Sequence, residues 1–442
     1  MAEQINKQLP HPEEARTLRE SSKKFEKIVP CKHTAEQLWP YFSQVNEYNR
    51  AGGASAVEYE VVPIFNSASV IVGSSRKLGI RMRYKELPYE WHQPRYVHAE
   101  MFFETGPFRY MRIRGEHLKN QSAVKYSINY VPRRGFGIAV IVAWGILQKF
   151  VKIFGQIDER LPESISDPLG AKGFEDISKS KLRKAKDLAQ RWRYLIKDAV
   201  VPESLAEFVL TAPDSLVGRM RPYALAKQLG TSRSETLEFC CLAARDGFLD
   251  MSWDLICPSC GGAKSSSANL DELGSEAHCD VCNIRYDADI KRNVEISFKP
   301  RSMIRELDEE EYCLQSPSHQ LQIIAQVNIM PGATISLPLS LRPGHYRLRC
   351  IGFEGETLFD CSYGRQSEEV FLSVGSELDK VKFDCGSKFV IHLENNSQNW
   401  RTVRFEHHGY REDAACAAEV VTLPEYRNSL QADATLPSII AV

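Results

Sequence analysis

The sequence has no excess of charge of either sign: 56 Lys and Arg stand against 57 Asp and Glu, a formal net charge of −1 over 442 residues. That balance excludes a chain whose main work is gripping phosphate backbones, while leaving room for one small basic face. A hydrophobic content of 43% excludes wholesale disorder. No apolar stretch lies within Met1–Lys27, so no secretory signal is expected. The longest apolar run, Gly135–Leu147, falls short of the roughly 18–20 residues that span a bilayer, and Arg133, Arg134, Lys149 and Lys152 flank it. It predicts a helix buried against a sheet, with interfacial membrane contact as the alternative. No transmembrane segment is expected, and the expected location is cytoplasmic. A glycine-rich phosphate loop is also missing. No spacing of Asp, Glu, His or Ser marks an acid–base pair or a nucleophile triad, so no catalytic residue is nominated. Glu86, Glu90, His407 and His408 read as surface residues.

Cysteine is abundant instead, with 12 in the chain. Cys257-Pro258-Ser259-Cys260 and Cys279-Asp280-Val281-Cys282 form the pattern C-x2-C-x18-C-x2-C. Two residues between paired cysteines let both sulfurs reach one ion, and Gly261 relaxes the turn that follows. Four thiolates make the closed tetrahedral shell of a structural Zn²⁺, with iron–sulfur chemistry as the alternative. A closed shell leaves no position for substrate, so the ion is expected to supply folding energy and no chemistry. His278 is a possible substitute ligand. The remaining cysteines, among them Cys31, Cys240, Cys313, Cys361 and Cys385, are scattered and read as small buried apolar residues in a reducing compartment.

Along the chain, residues 1–20 read as a solvated tail. Phe25–Val29 is strand-like, and Thr34 with Gln37 forms a capping box opening a short helix whose stripe is Leu38, Phe42 and Val45. Strands follow through Val131, with Ile80, Met82 and Tyr84 alternating against Arg81, Arg83 and Lys85. That basic strand face, like the pair Arg112 and Arg114, reads as solvated, with an anionic ligand as the sharper alternative. A long helix, Ile138–Leu161, closes this region, 21–165. A basic helical linker occupies 166–202, with a helix around Ser178–Lys197. In 203–256, Pro222 starts one helix and Gly230 stops it. Ser232 and Glu235 cap a second, whose stripe is Leu237, Cys240, Cys241, Ala244 and Phe248. Helix, turn, helix and strand make a winged-helix-like segment. Its exposed positions mix Arg233 and Arg245 with Glu235 and Glu238, so nucleic acid is not the expected partner. The cysteine ribbon covers 257–300. Residues 301–412 alternate as a small β-sandwich, in which Ile335–Leu341 turns at Pro343-Gly344 into the return strand Tyr346–Cys350. A tail, 413–442, ends the chain.

The order of strand, short helices, antiparallel strands and long helix resembles the START-like (SRPBCC) helix-grip superfamily, through LWPYFSQVNEYNRAGG and ELPYEWHQPRYV. The whole arrangement, an α+β multidomain chain, resembles the N-terminal regulatory region of bacterial class III adenylate/guanylate cyclase-type proteins. The resemblance runs from about Phe25 to Arg427, through LAEFVLTAPDSLVGRMRPYALAKQLG, GFLDMSWDLICPSCGGAKSS, HCDVCNIRYDADI, LRPGHYRLRC and AAEVVTLPEYRN. It implies metal ligation by Cys257, Cys260, Cys279 and Cys282, and an apolar or amphipathic small molecule in a START-like cavity. It also implies a cyclase domain or signalling partner for the C-terminal region. In that family TLPEYRN leads into a catalytic domain that needs two Asp for two metal ions. Only Asn428–Val442 follow here, so cyclase activity is not expected of this chain. The expected function is a non-catalytic sensory or regulatory module. A winged-helix DNA-binding regulator and a START-like lipid carrier are the rivals.

Overall fold

The computed structural model describes residues 10–62, 69–77, 79–118, 121–133, 137–161, 179–192, 200–258, 261–279, 284–307, 310, 312–352, 355–364, 369–375, 378, 380–408, 414–424 and 426. The chain divides into two compact units, one of residues 1–163, 280–284 and 310–409, the other of 164–279, 285–309 and 410–442.

The first unit opens with α1 (Pro12–Glu20), where a solvated tail was expected. His11 caps this helix by accepting from the Glu13 amide, and Ala15 and Leu18 are buried. Arg19 places Nε and Nη2 each 2.7 Å from the Glu100 carboxylate, which Tyr110 also contacts at 2.8 Å. Two apolar residues give little helical periodicity, and the ion pair that seats the helix is invisible in sequence.

β1 (Lys23–Pro30) follows, then α2 (Ala35–Phe42), which carries the expected Thr34–Gln37 capping box, and α3 (Val45–Ala51). Next come β2 (Glu58–Val62), β3 (Val70–Lys77), β4 (Ile80–Glu86), β5 (Glu90–His92), β6 (Tyr96–Thr105), β7 (Phe108–Leu118) and β8 (Ala123–Pro132). Antiparallel pairing gives the order β2-β3-β4-β6-β7-β8-β1. The 23-residue α4 (Ile138–Arg160) packs on this sheet over β8 and β1 through Ala139, Ala143, Leu147 and Phe154. This is a helix-grip architecture. The apolar pattern runs on past Leu147 through Phe150, Val151 and Phe154, so α4 is longer than the Gly135–Leu147 run and is long and apolar enough to cross a membrane by length and composition, while it packs against the sheet as expected. Its opposite side leaves Ile141 71% exposed and Trp144 47% exposed.

The second unit holds α5 (Lys179–Trp192), α6 (Val200–Thr211), α7 (Asp214–Val217), α8 (Pro222–Leu229) and α9 (Arg233–Arg245). Pro222 begins α8, Gly230 ends it at φ +66°, and the Ser232 side chain caps α9, as expected. Burial of α9 is wider than its stripe, because Thr236, Phe239 and Ala243 are also inside. β9 (Leu249–Ile256), β10 (Ala263–Ser267), β11 (Glu276–Cys279), β12 (Ile284–Asp287) and β13 (Val294–Pro300) form the sheet β10-β9-β13 and the pair β11-β12. The RMRPYALA block anchors the helices to this sheet. Met220 pairs its backbone with Phe298, Arg219 Nε lies 2.6 Å from Asp254, and Arg221 Nε lies 2.7 Å from Glu295. Residues 414–424 are no loose tail. Cys416 bridges to Glu295, Ala417–Val420 makes a helical turn, and Glu419 accepts from the Tyr223 hydroxyl at 2.6 Å.

The chain then completes the first unit with β14 (Ile323–Ile329), β15 (Thr334–Ser340), β16 (Gly344–Cys350), β17 (Thr357–Ser362), β18 (Glu369–Ser373), β19 (Lys382–Gly386), β20 (Lys388–Glu394) and β21 (Arg401–His407). Two sheets, β14-β21-β16-β17-β19 and β15-β20-β18, enclose one core that includes Leu337, Leu348, Phe359, Ile391 and Phe405. The hairpin expected at Pro343-Gly344 does not form. β15 pairs with β20 and β16 with β21 and β17, so the two strands lie in opposite sheets. Leu337 and Leu339 therefore share the sandwich core with Tyr346 and Leu348. The expected boundary at residue 301 is also crossed. β5 pairs with β14, Trp91 against Gln326, so one sheet continues from the helix-grip layer into the sandwich. Two of the scattered cysteines, Cys361 and Cys385, are register partners on β17 and β19 with sulfurs 3.0 Å apart.

Removing one partner of a buried ion pair leaves the other charge desolvated, at a cost of about 3 kcal/mol. Arg221→Ala should therefore speed amide exchange in β13 by about two orders of magnitude, measured by hydrogen-exchange mass spectrometry, with β4 and β7 unchanged.

Candidate ligand cavity

Period-two alternation on β4 sends Ile80, Met82, Tyr84 and Glu86 to the helix side of the sheet and Arg81, Arg83 and Lys85 to the other. The basic face is not simply solvated. Arg83 lies 3.2 Å from both Glu60 and Glu104, and Lys85 lies 3.7 Å from Glu104. Arg114 pairs with Glu116 at 3.2 Å and covers the Tyr96 ring at 3.9 Å. Carboxylates thus balance the charge that an anionic ligand would need.

The helix side encloses a cavity of about 440 Å³. Val97, Ala99, Met101 and Phe103 of β6 and Met111, Ile113 and Gly115 of β7 form its sheet wall. Val142, Ile146 and Phe150 of α4 face them, and Tyr48 and Tyr126 close one side with their hydroxyls 3.4 Å apart. Two glycines give the aromatic rings their places. A Cβ on Gly73 would lie 2.6 Å from the Tyr84 ring, and one on Gly115 would lie 2.6 Å from Phe42. Among the described lining residues, Ala54, Ile138 and Lys149 are exposed. The size and mainly apolar lining suit a small organic ligand.

One wall comes from far along the chain. Tyr312 lines the cavity, and residues 312–318 lie across the helix-grip layer as a strap. Asn46 Oδ1 accepts from the Tyr312 and Cys313 amides at 2.8 Å each. Ser316 Oγ accepts from the Val45 amide at 3.0 Å and donates to the Ser43 carbonyl at 2.8 Å. Gln315 Oε1 accepts from the Tyr89 amide at 3.2 Å, while its Nε2 donates to Glu86 at 3.0 Å and to the Leu87 carbonyl at 3.2 Å.

Glu86, read from sequence as a surface residue, is 1% exposed and lines the cavity. Its place was legible, since it continues the parity of Ile80, Met82 and Tyr84. Burial pushes its carboxyl up to about 7, against the opposing hydrogen bonds from Gln315 and Tyr89. Glu90 is half-buried, and against the effect of desolvation His98 and the Asn328 amide hold its carboxyl below the usual carboxylate range.

The four cysteines of the ribbon are only partly in view. Cys257 and Cys279 are fully buried at the ends of β9 and β11, whereas Cys260 and Cys282 lie outside the described residues. Gly261, at φ +72°, donates its amide to the Cys257 carbonyl at 2.9 Å, and the Cys257 amide donates to Gly262 at 3.0 Å. These two bonds hold Gly261 and Gly262 beside Cys257. Among the described residues, no group of three or more His, Cys, Asp or Glu is placed to hold a metal.

A model of a family of unknown function (DUF5939) matches residues 186–323. Comparison with curated proteins finds no match. Among solved structures, the Zhui aromatase/cyclase of a Streptomyces species is 11% identical, covering 32% of this chain and 99% of its own, with a TM-score of 0.24. A major latex-like protein of Panax ginseng is 13% identical, covering 32% and 99%, with a TM-score of 0.23. A Thermus thermophilus protein is 14% identical, covering 31% and 95%, with a TM-score of 0.21.

Because the folded Glu86 carboxyl titrates at about 7 and the ordinary value is 4.5, the native state binds the extra proton between those values. Stability therefore falls as pH rises through that window, by about 3 kcal/mol in all. Glu86→Gln should raise the urea midpoint markedly at pH 8 and little at pH 5, a gap that unfolding curves at the two values would measure.

Proposed function

We propose that the helix-grip cavity binds one apolar or amphipathic small molecule and that the chain is a non-catalytic sensory or regulatory module. The observation that supports this reading is the strap. Tyr312 lines the cavity, and its strap is held by bonds to Asn46, Ser43 and the lining residue Val45, so an occupant touches the segment that leads into β14. Occupancy then stiffens the path from the cavity into the sandwich. A cyclase domain or other signalling partner would read that change through the C-terminal region, as the sequence resemblance implies. A carrier of the same ligand needs no such strap. The DNA-binding rival finds little support in α9, where Thr236, Leu237, Phe239 and Cys240 are buried and no broad polar face remains for base edges.

The neutral probe N-phenyl-1-naphthylamine should bind saturably at one site per chain, with enhanced fluorescence. Ala99→Trp, which fills the cavity from β6, should abolish that binding while the circular dichroism spectrum stays the same. Probe binding that survives this substitution places the site elsewhere and overturns the reading.

We also propose a structural Zn²⁺ held by Cys257, Cys260, Cys279 and Cys282, supported by their spacing and by the bonds that hold Gly261 and Gly262 beside Cys257. When bound it supplies folding energy on the order of 10 kcal/mol. Metal analysis should find one zinc per chain, and Cys257→Ser should release it and speed amide exchange in β9 and β10. A fully protected, metal-free protein would reject the assignment.

A further inference from the structure

We propose that the ligand of this cavity is a monocationic amphiphile, an apolar body carrying one basic amine that pairs with Glu86. This rests on the cavity-binding reading above and narrows it to a chemical class.

Among the described lining residues, Glu86 and Lys149 are the charged ones, and they differ in position. Lys149 is exposed, whereas Glu86 is 1% exposed. The neighbours of Glu86 supply hydrogen bonds without supplying charge: the Gln315 amide and the Tyr89 hydroxyl donate to its carboxylate. The cation nearest in sequence, Lys85, points to the opposite face of β4 and pairs with Glu104 at 3.7 Å. A carboxylate oriented by neutral donors inside an apolar void is a site for a positive charge brought by the ligand. Tyr59, Tyr84 and Tyr89 stand around it, and aromatic rings favour an ammonium group over a neutral one. One carboxylate matches one charge, so a polyamine would bury unpaired cations, and a fatty acid seated with its head at Glu86 would set two carboxylates together.

The pairing carries a pH signature. The phenols facing Glu86 are held neutral by burial, and Cys313 is the other titratable group close to this cluster. Glu86, at about 7, is the group that gains charge across neutral pH. Amine affinity should therefore rise from pH 5.5 to pH 8 as the carboxyl ionises, while the affinity for a neutral analogue stays flat.

Isothermal titration of the full chain with decylamine, decanol and decanoate tests this. At pH 8 decylamine should bind at least tenfold more tightly than decanol, and decanoate more weakly than either. Glu86→Gln should bring decylamine down to the decanol level, while an unchanged circular dichroism spectrum and a cooperative urea transition show that the variant is folded. Equal binding of decylamine and decanol by the unaltered chain would overturn the amine assignment alone, as would an amine preference that survives Glu86→Gln. Binding of none of the three would overturn the cavity reading with it.

Discussion

The side-chain amide of Gln315 is the point on which the first unit depends. Its oxygen accepts from the Tyr89 backbone, and its nitrogen donates to the Glu86 carboxylate and the Leu87 carbonyl. All of these groups are buried, and a buried polar group left unmet costs about 1–3 kcal/mol. One residue from the start of the sandwich segment therefore satisfies polar groups on the β4–β5 connection, more than two hundred positions earlier in the chain. Without it, the Tyr89 amide and the Glu86 carboxylate would each lose a partner, while the Pro88 and Tyr89 carbonyls would keep theirs in Asn328 and Gln326. The continuous sheet depends on the same region, since β5 follows that connection and pairs with β14.

The void follows from the same local choices. Large rings stand around it, and small residues, Gly73 and Gly115, sit where those rings need clearance. α4 covers the sheet with alanines at Ala139 and Ala143, which bring the helix close over β8 and β1, and with larger apolar residues where the space widens. A well-packed core would fill such a space with side chains. Here, an apolar interior of ligand size is left with one carboxylate among its described lining residues, a composition that suits a ligand better than it suits stability alone.

Much of this was legible in the sequence. The capping box at Thr34, the cap at Ser232, the alternation of Ile80, Met82 and Tyr84, and the Pro222–Gly230 limits of α8 predict their elements because each is a local signal. What escaped was non-local. α1 carries two buried apolar residues, and its hold is an ion pair to Glu100, some eighty positions away. The hairpin at Pro343-Gly344 read correctly as a turn but not as a crossing between sheets, because alternation along β15 and β16 is the same in either case. Glu86 was read by residue type as a surface group, although its parity on β4 pointed inward. The strap was read as sandwich, since nothing in Tyr312–Ser318 announces that its partners are Asn46, Ser43 and Glu86.

The link between the cavity and the strap carries the proposed function. Hydrogen exchange of the Tyr312 and Cys313 amides, followed with and without saturating decanol, reads that link directly. The account predicts slower exchange at both amides when the cavity is filled, because the occupant packs against Tyr312 and steadies its bonds to Asn46. Unchanged exchange at those amides, under conditions where calorimetry shows the cavity saturated, would contradict it.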